Sequence, residues 1–270
     1  MKIIAISSGK GGVGKTTITC QLALAIAEMN KKTIIIDGDL GLANVDIHFG
    51  VRPQATISDV LNGQSMQSCI TPLLKNIDLV AGGTGLVELT RLNAFQRREL
   101  INQVQDLQFN YDYALIDTAS GIYDHVLHLN AISDECIIVV TPDPSSFADA
   151  YALIKVLNQK YKLQNFKVIF NQLRANNGAQ LFLKFSDVVE KFLSVRVSYI
   201  GGIQFDDQLL KAQQIQRLIM RQNDSSLTTQ IFKHIAVEIM SNGDFNSYSN
   251  RSVMRTTGLE GIFKPATGHA

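Results

Sequence analysis

The stretch Gly9-Lys10-Gly11-Gly12-Val13-Gly14-Lys15-Thr16-Thr17 decides the fold. It follows the apolar run Ile3-Ile4-Ala5-Ile6 and precedes a helical pattern, so we expect it at a turn between a strand and a helix. Its spacing is that of a phosphate-binding loop (P-loop): a glycine, four residues, then Gly-Lys-Thr. Glycines let successive N–H groups curl around an anion, and the following helix adds unpaired N–H groups. Lys15 can then reach the β- and γ-phosphates of a nucleotide, and the Thr16 hydroxyl can hold Mg²⁺.

The same glycines also spell the weaker pattern G-x-G-x-x-G. Asp37 follows about 20 residues later, as it would in a dinucleotide-binding fold. The pair Lys15-Thr16 has no purpose in a dinucleotide site, however, and Asp117 ends another apolar run where a nucleoside triphosphatase needs a carboxylate. The sequence therefore favours a P-loop, with a dinucleotide site or a purely structural glycine-rich turn as the alternatives.

Length and composition limit the remaining possibilities. A chain of 270 residues suits one large α/β domain or two small ones. Its formal net charge of +1 gives no bulk electrostatic attraction for nucleic acid, so direct DNA binding is not expected. The three cysteines are far apart and form no metal-binding motif. The sequence begins directly with a strand pattern and has no apolar run of membrane-spanning length, so we expect a cytoplasmic protein.

Short apolar strands alternate with longer helical patterns along the chain. Strands are predicted at Lys2–Ser7, Thr33–Asp37, Ile77–Ala81, Tyr113–Asp117, Glu135–Thr141, Lys167–Asn171 and Val197–Ile200. Helices are predicted at Thr16–Asn30, Leu86–Leu107, Ser145–Lys160, Gly178–Leu193 and Asp207–Met220, and Leu227–Ile239 has one apolar face. This alternation predicts a doubly wound α/β fold, a mostly parallel sheet with helices on both faces. Residues 1–240 would form this domain, and residues 241–270 a polar, mostly disordered tail.

Polar residues end several of the predicted strands. Asp37 and Asp39 follow one strand, Asp117 ends another, and Asn171 ends a third. Ligands bind at the carboxyl ends of strands in such sheets, so these side chains should meet the P-loop. Thr16, Asp37 and Asp117 are then candidates for holding Mg²⁺, although an aspartate beside a glycine can also simply cap a turn. Asn171 could read an adenine edge, because its amide offers a donor and an acceptor, or it could be a turn residue.

The run Lys-Gly-Gly-Val-Gly-Lys-Thr-Thr, residues 10–17, resembles the deviant P-loop of the MinD/ParA superfamily of ATPases. The resemblance covers nearly all of residues 1–240. It implies ATP and Mg²⁺ as ligands, an ATP-dependent homodimer and slow, partner-stimulated hydrolysis. Lys10 would reach the partner's nucleotide, Lys15 would bind phosphate, and Asp39 would position the attacking water. Asp37 would support the Mg²⁺ shell that Asp117 holds, and Asn171 would contact adenine.

Two further runs are similar to those of the flagellar regulators FlhG and FleN, namely Asp39–Asp46 and Thr141–Lys155. This similarity implies control of flagellar number or placement, with an FlhF-like GTPase or a FleQ-like transcription factor as partner. It also implies transient membrane contact, for which Val253–Lys264 is a weakly amphipathic candidate. The proline that the family usually has after the last strand is missing near Gln204. A MinD-type division-site ATPase and a ParA-type DNA-segregation ATPase are the alternatives.

Overall fold

A computed structural model of the protein describes residues 1–83, 94–216, 218–222 and 225–241. Eight strands in the described part of the chain form one sheet in the order β3-β4-β2-β5-β1-β6-β7-β8. The strands are β1 (Lys2–Ser8), β2 (Thr33–Gly38), β3 (Ile70–Leu74), β4 (Ile77–Val80), β5 (Tyr113–Ser120), β6 (Glu135–Val140), β7 (Asn165–Leu173) and β8 (Arg196–Gln204). Every pair is parallel except β3–β4. The predicted doubly wound fold is confirmed.

Helices connect the strands and cover both faces of the sheet. They are α1 (Lys15–Glu28), α2 (Val45–Phe49), α3 (Ile57–Leu61), α4 (Ala94–Asp106), α5 (Asp124–Ala131), α6 (Pro144–Tyr161), α7 (Gly178–Phe192), α8 (Asp207–Gln214), α9 (Ile219–Gln222) and α10 (Leu227–Met240). The strands read as continuous apolar runs because alternate residues enter different cores. In β2, Ile35 packs in the core that contains α1 and α10, whereas Ile34 and Ile36 pack in the core of α3 and α4.

The first helix is buried more completely than its sequence pattern predicts. One apolar stripe, Ile18, Leu22, Ile26 and Met29, suggests a helix with a single buried face. Every residue from Thr17 to Ala27 is buried instead, because α10, α9 and α2 also pack against α1 where the sheet does not cover it. Alanine, threonine and cysteine at the remaining positions let these elements pack closely around the helix.

Several elements differ from the sequence prediction. Strand β3 was not predicted, because it pairs antiparallel at the sheet edge and contains Pro72. Helices α2, α3 and α5 were also missed. The helix predicted from Asp207 to Met220 is interrupted after Gln214, where Gln216 has a left-handed backbone (φ 53°). The first part of the predicted helix Leu86–Leu107, and the tail with its segment Val253–Lys264, lie outside the described residues.

Register brings the strand-end residues together at the carboxyl edge of the sheet. Asp117 of β5 is opposite Ile6 of β1 on one side and Asp37 of β2 on the other. The loop after β1 therefore lies between the ends of β5 and β6, with β2 one strand beyond. In the described part of the chain, no helix is both long enough and apolar enough to cross a bilayer.

Candidate functional site

The P-loop connects β1 to α1, and glycine is required at both of its ends. Gly14, the residue before α1, has φ 90° and ψ 26°, a left-handed conformation that side chains disfavour. A Cβ at Gly14 would also lie 2.5 Å from Nδ2 of Asn171. At the other end, a Cβ on Gly9 would collide with the backbone carbonyl of Asp149 in α6. The loop is therefore held between the end of β7 and the first turns of α6.

Lys15 begins α1 at the bottom of this loop. Burial lowers the pKa of its amine, while the carboxylates of Asp117 and Asp39 act in the opposite direction. The backbone N–H groups in the first turn of α1 have no acceptor within the helix, so they can donate to a bound anion. Both features suit a phosphate group, which would supply the negative charge that the partly desolvated ammonium lacks.

Asp117 lies fully inside the protein beside two threonines of α1. The Thr16 hydroxyl donates to its Oδ2 (2.6 Å), and the Thr19 hydroxyl donates to its Oδ1 (3.1 Å). Burial raises the carboxyl pKa, and these hydrogen bonds and Lys15 lower it. No role was predicted for Thr19. Its hydroxyl lies three residues after that of Thr16 and so on the same face of the helix, which was the signal that could have identified it.

Asp37 and Asp39 have different surroundings although they are two residues apart. Asp37 is buried, and its carboxylate accepts backbone N–H groups from Asp39 (3.1 Å), Asn44 (3.0 Å) and Val45 (3.1 Å). Burial, followed by repulsion from Asp117, raises its pKa. Asp39 lines the cavity beside the P-loop, and its Oδ1 accepts the Leu42 N–H (3.1 Å). Asp37 thus folds the segment that presents Asp39.

The oxygen donors near Lys15 fit a magnesium ion. A threonine hydroxyl and one or two carboxylates, completed by water and phosphate oxygens, are the usual ligands of Mg²⁺ in nucleotide sites. Thr16, which lines the cavity, provides the hydroxyl, and the buried Asp117 beside it provides the carboxylate. Among the described residues there is no cluster of three or more His, Cys, Asp or Glu side chains that could hold a metal without such help.

Lys10 points away from the cavity in the single chain. Its Nζ donates to Oδ1 of Asp143 (3.0 Å) and to the hydroxyl of Ser145 (2.8 Å), at the start of α6. Asp143 also accepts from the Thr141 and Ser145 hydroxyls and from the Ser146 N–H. These hydrogen bonds hold the pKa of the Asp143 carboxyl far below its ordinary range. The sequence indicated Lys10 but not the residues that hold it.

A cavity of about 630 Å³ opens above the P-loop. Residues of the P-loop lie at one end, and the side chains of Phe205, Leu209 and Leu210 form an apolar wall near the end of β8. Asp206 precedes α8 and caps it, because its Oδ1 accepts the Gln208 N–H (2.7 Å). Such an apolar wall next to a phosphate site can accommodate a base, so the missing proline near Gln204 does not leave this side of the cavity open.

Asn171 lines the cavity and also contacts the P-loop. Its Nδ2 donates to the Val13 carbonyl (2.7 Å), and the neighbouring Gln172 donates from Nε2 to the Gly12 carbonyl (3.1 Å). Gln172 was not predicted to have a role, because the neighbouring residues give no indication that its backbone is left-handed (φ 58°). The predicted adenine contact of Asn171 stays a prediction.

Comparison with known proteins agrees with this geometry. A family model described as an AAA domain matches residues 1–170. The antiactivator FleN of Pseudomonas aeruginosa is 35% identical over 241 residues, which cover 88% of this chain and 86% of FleN. The flagellum site-determining protein YlxH of Helicobacter pylori is 32% identical over 222 residues, 82% of this chain and 75% of YlxH. The structure of the septum site-determining protein MinD complexed with Mg-ADP from Pyrococcus horikoshii OT3 superimposes with a TM-score of 0.72 at 25% identity, covering 89% of this chain and 96% of that one.

Proposed function

This chain belongs to the MinD/ParA superfamily of P-loop ATPases, and from that premise we propose that it is an ATP-dependent dimerisation switch that controls the number or placement of flagella. The observation that carries the proposal is the P-loop between β1 and α1, where Lys15 and Thr16 line the cavity and the buried Asp117 accepts a hydrogen bond from Thr16. Similarity to FleN and YlxH over more than four-fifths of this chain supports the flagellar role.

Triphosphate binding would rest on the backbone of residues 9–14 and on Lys15. The N–H groups of the loop and of the first turn of α1 would surround the phosphates, and Lys15 would neutralise their charge. Thr16 and Asp117 would hold Mg²⁺, which when bound would neutralise charge that develops on the transferred phosphoryl group. Asp37 would support this shell indirectly, through the backbone segment that it already holds.

Hydrolysis would depend on positioning more than on covalent chemistry. Asp39 lies on the cavity wall and would orient the attacking water. Lys10 would leave Asp143 and Ser145 and extend to the partner's phosphates when two protomers close face to face. Release of phosphate would remove the charge of the γ-phosphate, which is part of the charge that both lysines neutralise, and the dimer would open.

The decisive experiment measures the mass of the protein by light scattering with ATP, with ADP and without nucleotide, always with Mg²⁺. We expect a dimer with ATP and a monomer in the other two conditions. A Lys10→Ala variant should bind ATP yet stay monomeric, and Lys155→Ala, which removes an exposed lysine of α6, is the matched control. A wild-type protein that stays monomeric with ATP at high concentration would refute the switch.

The flagellar role needs a cellular measurement. Deletion of the gene in its flagellated host should change the number or position of flagella, and a Lys15→Ala copy should fail to restore the wild-type pattern. Because FleN carries the name antiactivator, we propose a FleQ-like transcriptional activator as partner, with an FlhF-like GTPase as the second candidate. Flotation with anionic liposomes, with and without residues 253–264, would test the proposed membrane contact.

A further inference from the structure

The carboxyl end of β7 contains a bulge beside the P-loop. Phe170 pairs with Gly202 of β8, and Leu173 pairs with Gln204, so two residues of β7 stand opposite one residue of β8. Those two residues are Asn171 and Gln172, and Gln172 has φ 58°. Neighbouring side chains in a regular strand point to opposite faces, whereas a bulge can redirect one of them.

The bulge aims both amides at the same segment. Asn171 Nδ2 donates to the carbonyl of Val13 at 2.7 Å, and Gln172 Nε2 donates to the carbonyl of Gly12 at 3.1 Å. Asn171 is buried, while Gln172 reaches the loop from an exposed position. Two adjacent residues of one strand therefore donate hydrogen bonds to two adjacent carbonyls of a loop almost 160 positions earlier in the chain.

Peptide planarity gives these contacts a consequence for the loop. In a trans peptide the C=O and the following N–H point in opposite directions. Fixing the carbonyls of Gly12 and Val13 therefore fixes the N–H groups of Val13 and Gly14, which must point to the other side of the loop. Those two N–H groups belong to the backbone that would surround a phosphate.

We propose that Asn171 and Gln172 form an amide clasp that presets the P-loop for phosphate before any nucleotide binds. They are positioning residues, because they act through the backbone of Gly12 and Val13 rather than on a reacting atom. The left-handed backbone of Gln172 is a strained conformation for a side chain of this size, and strain of this kind is typical of functional sites. The inference rests on the proposed nucleotide-binding function and adds to it the device that organises the loop.

Gln172→Gly tests the clasp without disturbing its backbone, since glycine accepts a positive φ. Lys162→Gly is the matched control, because Lys162 is an exposed residue with φ 61° that ends α6 and has no contact with the loop. Hydrogen–deuterium exchange of the peptide containing residues 9–17 in the nucleotide-free protein should become faster in Gln172→Gly only. Loss of one neutral hydrogen bond should also weaken binding of Mg²⁺-tripolyphosphate by roughly three- to tenfold.

Asn171→Ala distinguishes a role of Asn171 in the clasp from a role in contacting the adenine base. The clasp predicts that binding of ATP and of Mg²⁺-tripolyphosphate, which has no base, weakens by the same factor. A role in reading adenine alone predicts weaker ATP binding with unchanged tripolyphosphate binding, and that result would overturn the proposal for Asn171. If Asn171→Ala does not fold, Gln172→Gly still decides the question, since that side chain is exposed.

Failure of the clasp can be told apart from failure of the proposed function. Unchanged loop exchange and unchanged phosphate affinity in Gln172→Gly would overturn the clasp while the wild type still binds ATP. A wild-type protein that binds neither ATP nor tripolyphosphate would refute the nucleotide-binding function. The exchange measurement in the nucleotide-free protein would still report on the clasp in that case.

Discussion

Replacing Asp143 with serine should make the ATP-bound dimer form more readily. The carboxylate of Asp143 has two separate duties: it caps α6 by accepting the Ser146 N–H (3.0 Å), and it holds the Lys10 ammonium (3.0 Å). Serine is as good a capping residue as aspartate, so Asp143→Ser keeps the helix start and removes the charge that holds Lys10. Lys10 would then be held only by the neutral Ser145 hydroxyl and could more easily reach the phosphates of a partner.

The size of the effect follows from the exposure of the pair. The side chains of Lys10 and Asp143 are 40% and 38% exposed, so their ion pair is worth about 0.2–1 kcal/mol. Dimer formation must break this contact once in each protomer, at a cost of about 0.4–2 kcal/mol per dimer. Removing that cost should raise the dimerisation constant by roughly two- to thirtyfold.

Sedimentation or light scattering over a range of protein concentrations, with ATP and Mg²⁺, measures this constant. Both proteins should carry Asp39→Ala so that ATP persists during the measurement. Glu28→Gln is the matched control, because Glu28 pairs with Lys233 at similar exposure (37% and 35%) but far from Lys10. The gain from Asp143→Ser should shrink as salt is added, since exposed charges are screened. A constant equal to that of the Glu28→Gln control would show that Asp143 does not restrain Lys10.

Three further outcomes are expected. ATP at a hundred times its Kd should raise the melting temperature of the wild type by about 5–10 °C. Lys15→Ala should abolish this rise, and a variant that retained it would contradict the role of Lys15. Asp39→Ala should lower phosphate release by about a hundredfold or more and accumulate the ATP-bound dimer, as measured by a phosphate assay and by mass. Wild-type turnover in that variant would remove Asp39 from the mechanism. Gly9→Ala should cost about 1–3 kcal/mol of unfolding free energy, because its Cβ meets the Asp149 backbone, whereas Gly11→Ala makes only an ordinary contact with Ser120 and should unfold like the wild type in denaturant.

The sequence was sufficient for the sheet and the P-loop because local patterns encode both. Runs such as Ile34-Ile35-Ile36 are apolar throughout only when helices cover both faces of a strand. Gly14 is demanded by its own φ of 90° and by the loop spacing. Strand β3 escaped prediction since its pairing with β4, and the tolerance of Pro72 at an edge, are properties of the assembled sheet.

The sequence predicted which residues form the candidate site, but not which groups each of them contacts. Asp37 and Asp39 look alike in the sequence, and only the folded segment assigns three backbone N–H groups to Asp37 and the cavity to Asp39. Likewise, the partner of Lys10 lies 133 positions away, so no local pattern could identify Asp143. The bulge at Gln172 depends on register with β8, which is a tertiary property as well.

The burial of α1 on all sides has a consequence for biosynthesis. Part of its cover is α10, which contributes Phe232, Ile235 and Ile239 to the same core. In a nascent chain, the apolar residues of α1 that pack against α10 therefore stay exposed until about residue 240 has left the ribosome. The P-loop itself is translated near the start. Stalled or truncated products that lack α10 should bind chaperones through this exposed apolar surface and should not bind nucleotide. We therefore expect the chain to become able to bind nucleotide only after α10 has been made.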